Sequence, residues 1–218
     1  MSIPEANFDF DKILVNYLND KEPREHEIGV YRASEVSKCN RALYYIYKSD
    51  PKNPGIKQMR VFEVGHVIHE FVENLLKEYE WFIACEEEIS KEFNDFTIMG
   101  HYDALIKEEE HLAVIDFKTT KNIPTRLHDN HLKQVNTYLH LKGLEVGYVV
   151  YIEKNSFKTK TFPIYADKIL FEETLLKTKH LHKCLQEGKI PIMEKTPLCN
   201  YCDFKKKCFD LYMKENKR

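Results

Sequence analysis

Four of the six cysteines stand at opposite ends of the chain: Cys39 near the start, and Cys199, Cys202 and Cys208 near the finish. The last three form a compact Cys-x2-Cys-x5-Cys trio. A tetrahedral zinc site or a cubane iron–sulfur cluster takes four thiolates. A fold that completes such a site must bring distant parts of the chain together. Cys39, Cys85 and Cys184 are the available fourth ligands. Cys85 stands in an apolar strand-like run, and Cys184 beside Leu181 and Leu185 in a helical one; free cysteines there serve as packing residues. Cys39 is left, in the polar stretch Ser37-Lys38-Cys39-Asn40-Arg41. Its ligation would staple the N-terminal part to the C-terminus and couple folding to metal occupancy. Spacing alone does not separate zinc from iron–sulfur.

The 218 residues suffice for one substantial domain, and 43% hydrophobic with 31% charged residues is an ordinary globular composition. A formal net charge of −2 excludes a uniformly basic nucleic-acid binder, so any such contact needs a local basic surface. Lys205-Lys206-Lys207, followed by Lys214, Lys217 and Arg218, is one such run; on charge alone a solvated helical tail is the preferred reading. The start, Met1 to Glu5, lacks the basic and apolar segments of a signal peptide, and no apolar run approaches the ~20 residues of a membrane span. The expected compartment is the cytoplasm, where clustered cysteines bind metal more often than they form disulfides.

Hydrophobic spacing predicts a helix over 7–19, a linker over 19–29, and a second helix from an N-cap at Ser34 through Cys39 and Arg41 to Lys48. Residues 49–55 read as a loop by their prolines and glycine. Val61, Val64, Ile68, Phe71, Val72, Leu75, Leu76 and Tyr79 form the apolar stripe of a third helix. Strands follow over 82–91, 96–107 and 112–119, the middle one with an expected break at Gly100. A helix runs from near Pro124 to Gly143, then a hairpin over 146–153 and 158–164, then a helix from 167 to 186 capped by Gly188. The remainder reads as loop and short helix. The expected architecture is one α/β domain with a central mixed β-sheet flanked by helices. Its parts are an N-terminal helical part over 1–58, a core over 59–165, and a C-terminal helix and cysteine segment over 166–218.

The chemistry is concentrated in the core. Strand side chains alternate, so in Asp116-Phe117-Lys118 the carboxylate and the amine point one way and Phe117 the other. Asp103 falls on the neighbouring strand, within reach of the same ion. Mg²⁺ and Mn²⁺ take oxygen ligands and share their sphere with substrate phosphate. A third ligand is available in His69, one helical turn after Gly65, whose missing side chain leaves room beside the imidazole. A lone helical histidine is also commonly structural. Gln134 and Tyr138 share a helical face near the Asp116 strand, where an amide and a phenol can hold a catalytic group or simply pack. This constellation suits metal-dependent cleavage of phosphodiesters, with Lys118 orienting or deprotonating water.

With these residues together, the chain resembles a RecB-like nuclease of the PD-(D/E)xK superfamily. It is most similar to the CRISPR-associated exonuclease family, the Cas-four type. The resemblance spans Arg32 to Cys208 and rests on five motifs in order: the cysteines, Gly65-x3-His69, Gly100-x2-Asp103, Asp116-x-Lys118 and Gln134-x3-Tyr138. It implies a restriction-endonuclease-like core and a [4Fe-4S] cluster on Cys39, Cys199, Cys202 and Cys208 that joins the two ends; zinc or another cluster type stays open. It implies Mg²⁺ or Mn²⁺ held by His69, Asp103, Asp116 and the carbonyl of Phe117. Lys118 is then catalytic, Gln134 and Tyr138 are site residues, and Arg41 and Tyr44 lie near DNA. Asp116 departs from the Glu of many relatives. The implied activity is exonucleolytic or endonucleolytic cleavage of DNA, on single strands or ends, in spacer processing beside the CRISPR integrase. A stand-alone repair or viral recombination nuclease fits the same residues. A cluster- or zinc-stabilised DNA-binding subunit would need a degraded site, and no motif position is lost.

Overall fold

The computed structural model describes residues 8–22, 24–48 and 54–215. Helix α1 (Phe10–Asn19) starts where the Asp9 carboxylate accepts from Lys12 N. Strand β1 (Val30–Arg32) follows, then α2 (Asn40–Lys48) and α3 (Ile56–Leu76). Strands β2 (Phe82–Phe93), β3 (Phe96–Glu108) and β4 (His111–Thr120) lead to α4 (Asp129–Lys142). Strands β5 (Val146–Glu153) and β6 (Thr159–Tyr165) precede α5 (Lys168–Glu187), a 3-10 turn (Pro197–Tyr201) and α6 (Lys205–Glu215). As expected, α5 ends on Gly188, which has a left-handed φ of 67°. Two boundaries differ from the sequence reading. The second helix begins at Asn40, so Cys39 lies just before it. The fourth begins at Asp129, five residues past Pro124. Strand β1 carries too few residues to show a period and was not expected. Residues 49–53 of the expected loop, and Lys217 and Arg218, lie outside the described residues.

The sheet is mixed, in the order β1-β3-β4-β5-β6, with β2 also paired to β3. Strand β2 follows β3 antiparallel from Phe96 to Ile106 and so occupies one edge. The other edge is shared: β1 pairs with Thr97–Met99, and β4 pairs antiparallel with Ala104–Glu108. Residues 100–103 lie between these two partners. Strand β3 therefore does not break at Gly100; it changes partners there. Beyond Ile115, β4 leaves β3 and stays with β5, to which it is parallel through Thr120. A cleft opens between β3 and β4, with Asp103 on one lip and Asp116 on the other.

Helix α4 is the crossover between parallel β4 and β5, and it packs Val135 and Leu139 on one face of the sheet with Val114 and Val149. Asn136 clamps it to the start of α5, its amide donating to Asp167 O (3.0 Å) and its oxygen accepting from Asp167 N (2.8 Å). On the other face Ile68 of α3 meets Ala104, Ile115, Phe117 and Ile152. Helix α3 rests on a narrow seam. Ile68 is buried and Val72 and Leu76 are packed against the core, whereas Val61, Val64, Phe71, Leu75 and Tyr79 of the stripe remain exposed. On this face of the sheet α3 presents mainly the Ile68, Val72 and Leu76 row to the strands. No helix among the described residues is long and apolar enough to cross a membrane.

Candidate active site

The end of the β3–β4 ladder sets the geometry. Phe117 N–H has lost its strand partner and donates instead to Asp103 Oδ2 at 2.5 Å. In an extended strand the N–H and C=O of one residue face the same edge, so the Phe117 carbonyl also faces the cleft. Asp116 is held from two sides. Lys118 Nζ stands 2.7 Å from Oδ2, and Gln134 Nε2 donates to Oδ1 at 3.0 Å. The same amide donates its second proton to Tyr138 Oη at 2.7 Å. His69 reaches across from α3, with Nδ1 3.6 Å from Asp103 Oδ2 and its ring edge-on to Phe117. The structure thus brings together His69, Asp103, Asp116, Phe117, Lys118, Gln134 and Tyr138.

Two glycines have roles the sequence did not suggest. A Cβ on Gly100 would lie 2.7 Å from Tyr138 Cε1 and 3.2 Å from Ala33 Cβ. Gly100 is therefore the seat of the Tyr138 ring on β3, which links the Gly-x2-Asp spacing to the Gln-x3-Tyr spacing. A Cβ on Gly65 would lie 3.3 Å from Thr119 Oγ1. Gly65 thus lets α3 approach the end of β4; the room it leaves is taken by Thr119.

The electrostatics follow from burial. Asp116 is 1% exposed and Asp103 9%. Burial, and then the charge of Asp116, push Asp103 well above the usual carboxylate range. Burial raises Asp116 too, opposed by the Lys118 ammonium. Burial disfavours the charge on Lys118, but the two carboxylates outweigh it and hold its pKa above the ordinary lysine value. His69 is lowered to about 4 by burial and by Lys118, so its ring is neutral and free to ligate at pH 7. Two buried carboxyls that resist ionising side by side, with one ammonium near them, gain most from a divalent cation, which lets both ionise. With a neutral imidazole and a free carbonyl beside them, this donor set suits a small, oxygen-preferring divalent cation. Among the described residues no three His, Cys, Asp or Glu side chains are already drawn into a ligand set.

Arg41 and Tyr44, expected near DNA, are buried. Arg41 is 2% exposed; its Nε donates to Pro191 O at 2.6 Å and its Nη2 to Glu215 at 3.2 Å. It fastens α2 to the C-terminal segment. Tyr44 belongs to the core. Cys39, Cys199, Cys202 and Cys208 line one cavity of about 360 Å³, walled by Tyr45, Phe204 and Phe209. Burial pushes the Cys208 thiol up; Arg41 opposes this, while Cys39 and Cys199 are close enough to add to it. Cys184 is buried in the core and Cys85 lies half-buried on β2; neither lines that cavity.

Sequence reasoning missed Tyr151 and His131. Tyr151 is the register partner of Lys118 across the β4–β5 pair, and its hydroxyl lies 2.7 Å from His131 Nδ1. The available signal was the position of His131 three residues before Gln134, on the same helical face. Tyr151 becomes visible only once β5 pairs parallel to β4.

A family model described as PD-(D/E)XK nuclease superfamily matches residues 66–209, about two-thirds of the chain. No curated protein matches in sequence. Solved structures are similar in fold. The crystal structure of SSO0001 gives a TM-score of 0.69 at 22% identity, covering 92% of this chain and 96% of that one. A phage-related exonuclease from Haemophilus somnus 129PT gives 0.52 at 13% identity, covering 81% and 100%. An alkaline exonuclease from Laribacter hongkongensis gives 0.50 at 14% identity, covering 74% and 90%.

Proposed function

We propose that this chain, which belongs to the PD-(D/E)XK nuclease superfamily, is a divalent-metal-dependent deoxyribonuclease acting on single-stranded DNA or DNA ends. One observation carries the reading. Two buried carboxylates, Asp103 and Asp116, face each other where β4 parts from β3, with a single ammonium, Lys118, beside them. Such a cleft attracts a cation and then the phosphate that shares it.

His69, Asp103, Asp116 and the Phe117 carbonyl would hold Mg²⁺ or Mn²⁺. When bound, the ion would lower the pKa of water and offset charge growing on the phosphoryl oxygens. The protein's own groups do the rest. Gln134 fixes the Asp116 carboxylate, and Tyr138, seated on Gly100, fixes Gln134. Lys118 is held as an ammonium, so it orients water by donation and offsets phosphate charge.

The finer reading is a Cas-four type exonuclease with a [4Fe-4S] cluster on Cys39, Cys199, Cys202 and Cys208. The shared cavity of these thiols, next to the Arg41 fastening, supports it. In that setting the enzyme trims precursor spacers in the cytoplasm, with the CRISPR integrase as its partner. Likeness to a phage-related exonuclease favours a second role, in viral recombination or repair. Co-purification with the integrase separates the two.

The test of function offers Mn²⁺ and end-labelled linear single strands, linear duplex and circular single strands to anaerobically purified protein. Release of nucleotides from linear single strands, with circles spared, is the expected result. Cleavage of circles moves the reading to an endonuclease. Binding without cleavage of any substrate leaves a DNA-binding subunit.

A further inference from the structure

Two polar side chains beside Lys118 have no part in the mechanism above. Tyr151 is 1% exposed, and its hydroxyl meets His128 N at 3.2 Å and His131 Nδ1 at 2.7 Å. A backbone N–H can only donate, so the phenol oxygen accepts from His128. The phenol proton then has one acceptor in reach, Nδ1 of His131. The opposite arrangement would leave that proton buried without a partner, at the cost of an unmade hydrogen bond. Tyr151 therefore selects the imidazole tautomer protonated on Nε2. Burial and the Lys118 charge lower the His131 pKa to about 3, so the ring stays neutral at working pH.

The position of that Nε2–H follows from the crossover. Helix α4 returns between two parallel strands and so runs opposite to β4. Gln134 stands level with Asp116, to which it is bonded. One turn back toward the start of α4, His131 stands level with Lys118, the next outward residue of β4. His131, Gln134 and Tyr138 share one face of the helix. The ring is partly exposed, and among the described residues nothing accepts from its Nε2.

Resting on the nuclease reading, we propose that His131 is a neutral hydrogen-bond donor to a DNA phosphate adjacent to the scissile one, holding the strand where it passes Lys118. The scissile phosphate belongs to the carboxylates and Lys118, which leaves the neighbouring phosphate for the next donor outward. Such a contact is sequence-independent and fixes register. Being neutral, it adds direction without adding to the salt dependence.

Two substitutions separate this from a purely structural role. In His131→Asn the side-chain oxygen can still accept from Tyr151, but the Nε2 donor is gone. In His131→Gln an amide donor reaches out near the Nε2 position, while the Tyr151 bond is lost. The expected result on single-stranded DNA is a KM raised roughly tenfold in His131→Asn with kcat retained, and a KM within about twofold of wild type in His131→Gln. The reverse order, Asn tolerated and Gln damaging, would overturn the proposal. A methylphosphonate scan gives an independent check. Wild type should lose affinity at one phosphate beside the cut, and His131→Asn should lose nothing further there. Equal losses in both proteins at every position overturn it. A wild type that cleaves normally, with both variants indifferent, sinks this inference alone. A wild type that cleaves nothing removes the nuclease reading, and the inference with it.

Discussion

Asp116 is fixed by two donors of different kinds, an ammonium on its own strand and an amide from the crossover helix. Removing the amide in Gln134→Ala leaves a buried carboxylate oxygen unpaired and free to turn. Supporting residues of this type typically contribute 10- to 100-fold to metal affinity or activity. A loss of that size is expected for Gln134→Ala, read as a shifted Mn²⁺ dependence of cleavage; Tyr138→Phe, which leaves the Gln134–Asp116 bond intact, should lose less. Gly100→Ala drives a methyl into the Tyr138 ring. A cost of ~1–3 kcal/mol in urea unfolding is expected, partly recovered when Tyr138→Leu is added. His131 has a definite pH signature. Burial and the Lys118 charge hold its folded pKa at about 3, below the ordinary histidine value of 6.5. Above pH 6.5 both states are neutral and its contribution is complete. As pH falls from 6.5 toward 3 the unfolded chain takes up a proton that the folded ring refuses, and stability is lost. The Tm of wild type should therefore fall more steeply over that window than the Tm of His131→Gln; parallel curves would contradict the assignment.

Much of the element pattern was legible because periodicity reports burial. The Asp-x-Lys alternation, the strands over 82–119 and the Gly188 cap follow from local rules. What was not legible depends on partners distant in sequence. Nothing local marks residues 100–103 of β3 as the point where β1 yields to β4, although that change opens the cleft. The stripe on α3 promised a broad buried face, yet the sheet face covers mainly the Ile68 row. The family resemblance placed Arg41 near DNA; its partners Pro191 and Glu215 lie about 150 residues or more away in sequence. Arg41→Ala should therefore act on stability. A loss of ~2–3 kcal/mol in urea unfolding is expected, with the salt slope of DNA binding unchanged. A phosphate contact would instead lower the slope by about one.

Across the whole molecule, the two ends meet at one cavity that holds four thiols. Under the proposed cluster, this junction is a staple that closes nearly the entire chain. Protein isolated without oxygen should then be brown and carry iron and sulfide. Cys39→Ser and Cys208→Ser should lose the colour and melt lower, while Cys85→Ser should keep it. Colourless zinc-loaded protein would reassign the site and leave the cleft untouched. The decisive measurement on that cleft is cleavage of end-labelled single-stranded DNA by cluster-intact protein, with and without Mn²⁺, in wild type, Asp116→Ala and Lys118→Ala. Cleavage by wild type only with metal is expected, with at least a 100-fold loss in each variant, equivalent to roughly 2.7 kcal/mol of barrier. Metal-dependent cleavage that survives in folded Asp116→Ala and Lys118→Ala would place the chemistry elsewhere and contradict this expectation.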